Sequence, residues 1–465
     1  MTNTISIINP ATEKLITELP VDDQAAIADR VAQARIAQSA WAERSLSGRI
    51  EPIKKFRDAL VQQVDVLAAT LTSETGKPIT QARTEILATP QRIDFFIETV
   101  AQVLAPKRVY QEPWQAIPGA GQLEEIITHD PLGVVANISA WNYPYFVGSN
   151  VFIPALLTGN AVLYKPSEIA SLTGLAIANL LHESGIPDNV FIPVIGAGLA
   201  GAALLDQPID GVFFTGSYAT GQKIAIAVAP KLIKVQLELG GKDPAYVCND
   251  VDVATVAAGL ADGAFYNNGQ SCCAVERIYV HTDIYEEFVD AFMQTVQGFQ
   301  LGDPTLADTY LGPLSRKPQL TVLEQHVADA VAKGAHVRCG GQLLDRVGWY
   351  FAPTILTNVT HEMIVMKEET FGPIIGIQRV SDDDRAVTLM NDTNYGLTAA
   401  VYSADRDRAI RILSQVNSGS AYWNCCDRVS PHLPWTGRGQ SGIGSTLSTI
   451  GINAFLQPRG WHLRR

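Results

Sequence analysis

GVVANIS, at residues 133–139, is the first of five short apolar runs that decide the fold of this chain. The other four are AVLYKP (161–166), NVFIPVIG (189–196), GVFFTG (211–216) and KVQLEL (234–239). Segments with helical periodicity separate the runs, among them SLTGLAIANLLHESG (171–185) and TGQKIAIAVAPKL (220–232). Strands that alternate with helices of this length indicate βαβ units. We therefore predict an α/β fold built on a parallel sheet.

The sequence on either side extends this pattern. Residues 22–105 carry apolar side chains at three- and four-residue spacing, which predicts helices punctuated at Gly76, Pro78 and Pro90. The alternation of strand and helix returns in ERIYVHTDIYEEFVDAFMQTVQ (276–297) and TVLEQHVADAVAKGAHVRCGG (321–341). A second α/β domain is therefore expected after the first, with a boundary at the glycine pair 240–241.

Composition narrows the class of protein. The chain has 465 residues, so two to four domains are expected. Lys and Arg number 35 against 47 Asp and Glu, which gives a net charge of −12. Nucleic-acid binding requires a basic surface, so no nucleic-acid partner is expected.

The cysteines and the N-terminus predict a location. No CxxC pair occurs among the six cysteines, and two pairs are vicinal, a spacing too tight for ordinary disulfides or a zinc site. We therefore expect no metal, and free thiols in a reducing cytoplasm. The first residues lack the pattern of a signal peptide. Residues 131–164 contain no Asp, Glu, Lys or Arg, but prolines and glycines interrupt them, which predicts strand, loop and short helix rather than a membrane span.

Two glycine-rich turns are candidates for phosphate binding. VIGAGLAG (194–201) contains a literal G-x-G-x-x-G, but the acidic residue expected about 20 positions later in a dinucleotide fingerprint is absent. A tight turn between strand and helix in the same sheet is the favoured interpretation. FTGSYATG (214–221) also joins a strand to a helix, and the amides and hydroxyl of Gly216 and Ser217 could bind phosphate equally well.

Three separated segments could supply a nucleophile, a base and an oxyanion donor. They are FYNNGQSCC (265–273), QLELGGK (236–242) and AWNYP (140–144). Taken singly, each has an ordinary interpretation, because a lone cysteine is most often a buried small hydrophobe and a strand glutamate usually faces solvent.

Together these segments resemble the aldehyde dehydrogenase superfamily. Ten motifs stand in the family's order and at about its spacing: SETGKP, AWNYP, KPSE, FTGS, LELGGKDP, FYNNGQSC, EETFGP, NYGL, WNCC and PWTGRGQSGIG. The resemblance implies a Rossmann-like parallel-sheet cofactor domain at 1–105 and 131–240 and a second α/β catalytic domain at 241–444. It also implies a small β bridging element at 106–130 and 445–465 that forms a homodimer or homotetramer, although Pro458 and Gly460 are unfavourable in a strand.

By family position, Cys272 takes the place of the nucleophile and Cys273 that of a non-catalytic neighbour. Glu238 takes the place of the general base, and Asn142 donates to the oxyanion alongside the backbone N–H of Cys272. This set implies oxidation of an aldehyde to the acid through a cysteine thiohemiacetal and thioester. Acyl transfer to coenzyme A and a non-enzymatic scaffold are the alternatives, and both are disfavoured because the nucleophile and the base are present.

The resemblance also implies NAD as the cofactor. Lys165 and Glu168 would hold the adenosine ribose, and a carboxylate there repels a 2′-phosphate, so NADP is the less favoured cofactor. Trp141 and Ser217 match pyrophosphate contacts, and Glu369 and Phe371 match the residues that place the nicotinamide ribose and ring.

The substrate is expected to be a small aldehyde. Family position places these side chains in its tunnel: Tyr143, Val147, Asn150, Tyr266, Ser271, Cys273, Asp427, Val429 and Trp435. Three aromatic residues among them partly resemble the box that holds a cationic group in amino- and betaine-aldehyde dehydrogenases. A generic slot for uncharged aldehydes is equally open, and Arg428 raises a third option, a semialdehyde held through its carboxylate.

Overall fold

Two large sheets and two small ones organise the part of the chain that the computed structural model describes, residues 4–112 and 122–464. Within those ranges the strands are β1 Thr4–Ile8, β2 Leu15–Pro20, β3 Lys107–Gln111, β4 Leu123–Pro131, β5 Val134–Ile138, β6 Ala161–Lys165, β7 Phe191–Pro193, β8 Gly211–Thr215, β9 Lys234–Glu238, β10 Pro244–Val247, β11 Arg277–His281, β12 His336–Cys339, β13 Thr354–Thr357, β14 Ile374–Val380, β15 Thr398–Tyr402, β16 Ser420–Trp423, β17 Gly442–Ile443 and β18 Leu456–Arg464.

The helices of the same ranges are α1 Gln24–Glu43, α2 Leu46–Gln62, α3 Val64–Thr75, α4 Ile79–Leu104, α5 Pro144–Leu157, α6 Ser171–Glu183, α7 Gly198–Asp206, α8 Tyr218–Val228, α9 Val253–Phe265, α10 Tyr285–Gln297, α11 Lys317–Ala332, α12 Ile364–Lys367, α13 Asp383–Asn391, α14 Arg406–Leu413 and α15 Ser448–Asn453. In this part of the chain, none of them combines the length and the apolarity needed to cross a membrane.

The five apolar runs form the first large sheet, as predicted. Its strand order is β17-β9-β8-β5-β6-β7, and β9, β8, β5, β6 and β7 are mutually parallel. Alternate side chains of the strands enter two different apolar clusters: Val134 packs with α1, α7 and α8, whereas Val135 packs with α4, α5 and α6. Helices therefore cover both faces, which explains why apolar residues predominate in these strands. The α/β prediction is confirmed.

The second large sheet has the order β12-β13-β14-β11-β10-β15-β16 and is parallel except for the edge pair β12 and β13. A three-stranded antiparallel sheet, β18-β4-β3, joins the C-terminal strand to residues 107–131. Pro458 and Gly460 are tolerated in β18 because this strand lies at the edge of that sheet. The predicted domain bounds stay a prediction, and β17 adds residues 442–443 to the first sheet.

Two details of the helical predictions have different outcomes. Gly76 ends α3 in the left-handed conformation, with φ of 76°, as its position after a helical pattern suggests. Pro90, in contrast, lies inside α4 and does not interrupt it. The helix continues because its inward face, which includes Ile86, Ile93 and Phe96, is fully buried, and this packing outweighs one missing backbone hydrogen bond.

Candidate active site

The carboxyl ends of four neighbouring strands converge on one edge of the first sheet. Asn142 follows β5, Lys165 ends β6, Gly216 and Ser217 follow β8, and Glu238 ends β9. In an open parallel sheet, ligands bind in the crevice outside the carboxyl ends of the strands. The topology therefore brings residues that are up to 96 positions apart, Asn142 and Glu238, to the same edge.

A cleft of about 870 Å³ opens at this edge, within the range of about 300–1,000 Å³ that is common for cofactor sites. Its lining includes Cys272, Asn142 and all seven residues that the sequence assigns to the cofactor: Trp141, Lys165, Glu168, Gly216, Ser217, Glu369 and Phe371. The structure thus brings all the predicted cofactor residues to one cleft, although they come from distant segments of the chain.

The loop that carries Cys272 is fixed by the turn before it. Asn267 and Asn268 both adopt left-handed backbone conformations, with φ of 53° and 58°, and asparagine is among the residues that tolerate this region. The Asn268 side chain donates to the carbonyl of Gly312 at 2.8 Å, and the Gln270 side chain accepts from the amide of Ser315 at 3.0 Å. The loop that carries Cys272 is therefore held by buried hydrogen bonds on both sides of the turn.

Asn142 is tied to the same loop. Its Nδ2 donates to the carbonyl oxygen of Gln270 at 3.1 Å, and the side chain is buried. An amide nitrogen carries two N–H groups, so a second donor remains beside that bond. This bond fixes the Asn142 amide on the backbone of Gln270, two positions before Cys272 in the sequence. The second N–H can therefore donate to an oxygen bound near the sulfur.

Glu238 is 6% exposed and lies at the end of β9. Burial raises the pKa of its carboxyl to about 7, against hydrogen bonds from Thr446 and Gln236 that favour the charged form. The Thr446 hydroxyl and the Gln236 amide, the latter at 3.0 Å, both donate to Oε1. A carboxylate with such a pKa exchanges protons readily near neutral pH.

Cys273 has an environment unlike that of its neighbour. Its thiol contacts Oδ1 of Asp427 at 3.0 Å and is buried. A hydrogen bond with the side chain of Cys272, together with burial, raises the pKa of Cys273 well above its ordinary value. Cys273 therefore stays a protonated thiol, which suits a residue without a role as nucleophile.

The cofactor side of the cleft offers groups suited to a dinucleotide. Ser217 caps the N-terminus of α8, where helix amides favour phosphate oxygens. Lys165 lies at the wall with its ammonium on the carbonyl of Pro166, and Glu168 is exposed at the rim. The rings of Trp141 and Phe371 meet edge to face with centroids 5.5 Å apart. Aromatic, cationic and amide donors of this kind fit a nicotinamide dinucleotide.

The first glycine-rich turn also reaches this cleft. Gly196 has φ of 149° in the turn between β7 and α7, as the favoured interpretation requires. Gly198 and Gly201 of the same motif line the cleft opposite Lys165. The motif is thus a turn in the sheet whose glycines leave room for a ligand.

Glu276 is a buried residue that the sequence reasoning missed. Its carboxylate accepts from the amides of Thr370 at 2.8 Å and Phe371 at 3.0 Å, and pairs with Lys242 at 2.5 Å. These bonds hold the loop that carries Glu369 and Phe371. The acidic residue precedes a strand without any motif of its own, so nothing in the sequence singled it out.

The predicted substrate residues lie on the other side of Cys272. Val429, Trp435 and Cys273 share an apolar cluster with Cys272, and Asn150 of α5 is buried beside them. Ser271 donates to Asp427 at 3.3 Å, and Val147 belongs to the first turns of α5. Tyr143 stacks on Phe146, and Tyr266 meets Tyr310 edge to face.

The sequence suggests Arg428 as a clamp for a substrate carboxylate, but Arg428 lies away from the cleft, and another arginine is buried near the predicted substrate residues. Arg428 is exposed and lines a separate cavity with Cys425 and Cys426. Arg92 of α4, which the motifs did not indicate, is buried and donates to Oδ1 of Asn150. Its position on the inward stripe of α4 was the available signal, because an arginine there has no access to bulk solvent.

Comparisons with known proteins agree with this geometry. Residues 1–460 match the model of the aldehyde dehydrogenase family. Succinate-semialdehyde dehydrogenase (NADP+) of Deinococcus radiodurans is 34% identical over 97% of this chain and 93% of its own length. Chloroplastic betaine aldehyde dehydrogenase of Atriplex hortensis is 34% identical over 99% of this chain and 95% of its own.

A solved structure, lactaldehyde dehydrogenase from Escherichia coli, superposes with a TM-score of 0.94 at 32% identity and covers 100% of this chain and 96% of its own. Fold, cleft and sequence similarity over the whole length lead to one assignment. The chain belongs to the aldehyde dehydrogenase family.

Proposed function

We propose that Cys272, Glu238 and Asn142 are the nucleophile, the general base and the oxyanion donor with which this enzyme oxidises an aldehyde to the carboxylic acid. Oxidation of aldehydes is the activity of the family. The observation that supports these roles most directly is that Asn142 and Cys272 line one cleft, with the Asn142 amide bonded to the loop of Cys272.

The chemistry follows from the three groups. The Cys272 thiolate adds to the aldehyde carbon, which forms a carbon–sulfur bond and places negative charge on the oxygen. Asn142 Nδ2 and the backbone N–H of Cys272 donate to that oxygen. When the carbon–oxygen double bond re-forms, hydride leaves the carbon and the adduct becomes a thioester. Glu238 then takes a proton from water, which attacks the thioester and releases the acid and the thiolate.

The family uses NAD or NADP, and we propose NAD as the preferred cofactor here. When bound, the oxidised nicotinamide accepts the hydride. The support for NAD is the Glu168 carboxylate at the rim of the cleft, which repels a 2′-phosphate and accepts hydrogen bonds from ribose hydroxyls. One relative named above is an NADP enzyme, so a direct comparison of the two cofactors is the test of this preference.

Hydrolysis is proposed over transfer to coenzyme A because Glu238 is present, buried and has a pKa near neutrality. The family is enzymatic, so a purely structural scaffold is set aside. Relatives of equal identity are named for substrates of opposite charge, a semialdehyde acid and betaine aldehyde. Similarity alone therefore does not select the substrate.

The experiment measures NADH and acid formation from simple aldehydes. Cys272→Ser should abolish both, whereas Cys273→Ala, its matched neighbour, should retain them. Glu238→Gln should keep a burst of NADH equal to the enzyme concentration and slow acid release by about 10²–10⁴-fold. Full turnover in Cys272→Ser, or stoichiometric acyl-CoA formation with no acid produced in the absence of coenzyme A, would contradict the assignment.

We further propose a cytoplasmic homodimer or homotetramer. All six cysteines lie in the described ranges as free thiols, which suits a reducing compartment. Strand β3 is exposed along its whole length at the edge of the three-stranded sheet and offers a surface for pairing. Sedimentation velocity would give the number of subunits, and a single monomeric species would exclude the assembly.

A further inference from the structure

Arg92 is a buried cation with few partners. It is 7% exposed and lies on the inward face of α4. Its guanidinium donates to Oδ1 of Asn150 at 3.2 Å and to the carbonyl oxygen of Val429 at 3.4 Å, and it lies 4.0 Å from the centroid of the Phe146 ring. A guanidinium has five N–H groups, so three remain without an acceptor among the described residues.

The carboxylates nearest to Arg92 are engaged elsewhere. Glu85 forms a buried ion pair with Lys77, and Glu238 accepts from Thr446. No carboxylate of the described ranges lies within ion-pair distance of Arg92, and burial lowers its pKa to about 10, so it still carries its charge at neutral pH. An unpaired buried charge is costly, so a buried arginine without a carboxylate partner is a candidate site for an anion from outside the chain.

Arg92 contacts a segment that packs beside the proposed nucleophile. Its charge acts on the carboxyl of Glu238. The backbone of Val429, to which it donates, belongs to a residue that packs in the same cluster as Cys272, Cys273 and Trp435. The guanidinium therefore joins α4 to the loop that closes the substrate side of the site.

Two aromatic rings of this region already contact cationic side chains of the protein. Lys77 Nζ lies 3.8 Å from the centroid of the Tyr143 ring, and Arg92 lies over Phe146. Tyr143 and Phe146 are themselves stacked, with an angle of 9° between their planes. The charge of Lys77 is paired with Glu85, so Arg92 carries the charge that opposes a cationic substrate and favours an anionic one.

The charge that could argue the other way is Asp427. Its Oδ1 is engaged by the thiol of Cys273 and the hydroxyl of Ser271, and burial raises the pKa of this carboxyl to about 6. Both side chains have hydrogen-bond partners, but Arg92 has no carboxylate partner among the described residues. Arg428 is exposed on a different cavity and does not compete for the role.

Building on the proposed function, we infer that Arg92, oriented by Asn150, determines specificity by binding a carboxylate on the substrate, so that the enzyme's substrates are short semialdehyde acids. The planar fork of the guanidinium suits a carboxylate, which can accept two parallel N–H bonds. The aldehyde end of the same molecule would then lie at Cys272.

The test compares three four-carbon aldehydes at saturating NAD: succinic semialdehyde, butanal and 4-aminobutanal. For the wild type, kcat/KM for succinic semialdehyde should exceed that for butanal by at least about 30-fold, with 4-aminobutanal the poorest substrate. Arg92→Met should remove this advantage, measured as the ratio of kcat/KM for succinic semialdehyde to that for butanal in the same variant. Arg83→Met, on the exposed side of the same helix, is the matched control and should preserve the ratio.

Succinate supplies a second readout that does not require catalysis. It should inhibit butanal oxidation competitively and bind to the wild type in a calorimeter, and Arg92→Met should lose both effects. If Arg92→Met does not fold, Arg92→Lys should retain the charge and only part of the preference. An unchanged ratio in Arg92→Met or Arg92→Lys, or a wild-type preference for 4-aminobutanal, would overturn the inference.

The two proposals fail in different ways. If none of the three aldehydes yields NADH in a manner that depends on Cys272, the proposed roles of the active-site residues fail. Succinate binding that depends on Arg92 would still support the anion site in that case. If butanal is oxidised normally but succinate does not bind, only the substrate inference is refuted.

Discussion

Thr446→Val isolates the contribution of one hydrogen bond to the proposed base. The hydroxyl of Thr446 is fully buried and donates to Oε1 of Glu238. Valine has nearly the same shape, and the backbone hydrogen bonds between residue 446 and Trp435 do not involve the side chain. The substitution therefore removes a donor to the carboxylate and leaves the surrounding backbone in place.

The magnitude follows from the balance that sets the pKa of Glu238. Burial raises that pKa to about 7, and the hydroxyl opposes the rise by stabilising the charged form. A hydrogen bond to a charged group contributes about 1.5–3 kcal/mol, and about 1.4 kcal/mol corresponds to one pKa unit. The loss of this bond should therefore move the midpoint of base-dependent acid release upward by about one to two pH units from its value near 7.

The assay forms the acyl-enzyme with limiting aldehyde and follows acid release by rapid quench from mildly acidic to mildly alkaline pH. Release should increase with pH because only the deprotonated carboxylate activates water. Thr446→Ser retains the hydroxyl and serves as the control, with a midpoint close to that of the wild type. A folded Thr446→Val enzyme whose midpoint equals that of Thr446→Ser would refute the link between this bond and the base.

Three further substitutions test other contacts. Lys77→Met leaves buried Glu85 without its partner and should lower the free energy of unfolding by about 3–5 kcal/mol, measured in urea, since an uncompensated buried charge is costly. Gly240→Ala should raise KM for NAD by up to about 100-fold with little change in stability, because the new methyl group would contact the carboxylate of Glu369; an unchanged KM would contradict this. Glu168→Gln should shift the NAD-to-NADP ratio of kcat/KM towards NADP by about fivefold, since an exposed like-charge contact costs about 1 kcal/mol; a constant ratio would exclude the proposed repulsion.

Much of the fold follows from local signals. The strands of the first sheet could be predicted because helices cover both faces and most strand positions are therefore apolar. Pro90 shows the limit of such reasoning. A proline weakens a helix locally, but the packing of neighbouring side chains against other segments decides whether the helix continues, and that packing is invisible in a single window of sequence.

Some residues of the candidate site could likewise be predicted from the sequence, and others could not. Asn142, Glu238 and Cys272 lie in recognisable motifs, and the topology brings their strand ends and loops together at one cleft or beside it. Arg92 lies in an amphipathic helix without a motif, and Glu276 precedes a strand. Their importance depends on which buried groups they meet across the structure, Asn150 in α5 for the first and the amides of a distant loop for the second.

Arg92 also links substrate recognition to hydrolysis, because its charge lowers the pKa of Glu238. A carboxylate bound to the guanidinium would offset that charge for as long as the acyl group stays on Cys272. The pKa of Glu238 should then be higher during hydrolysis of a thioester that carries a carboxylate than during hydrolysis of an uncharged one.

This coupling predicts two pH profiles for one enzyme. The midpoint of acid release should lie at higher pH with succinic semialdehyde than with butanal. In Arg92→Met the cation is absent, so both midpoints should rise above that of the wild type with butanal. Profiles that coincide in the wild type would mean that the bound carboxylate does not reach Arg92, because neutralising the guanidinium must alter the titration of a base that responds to its charge.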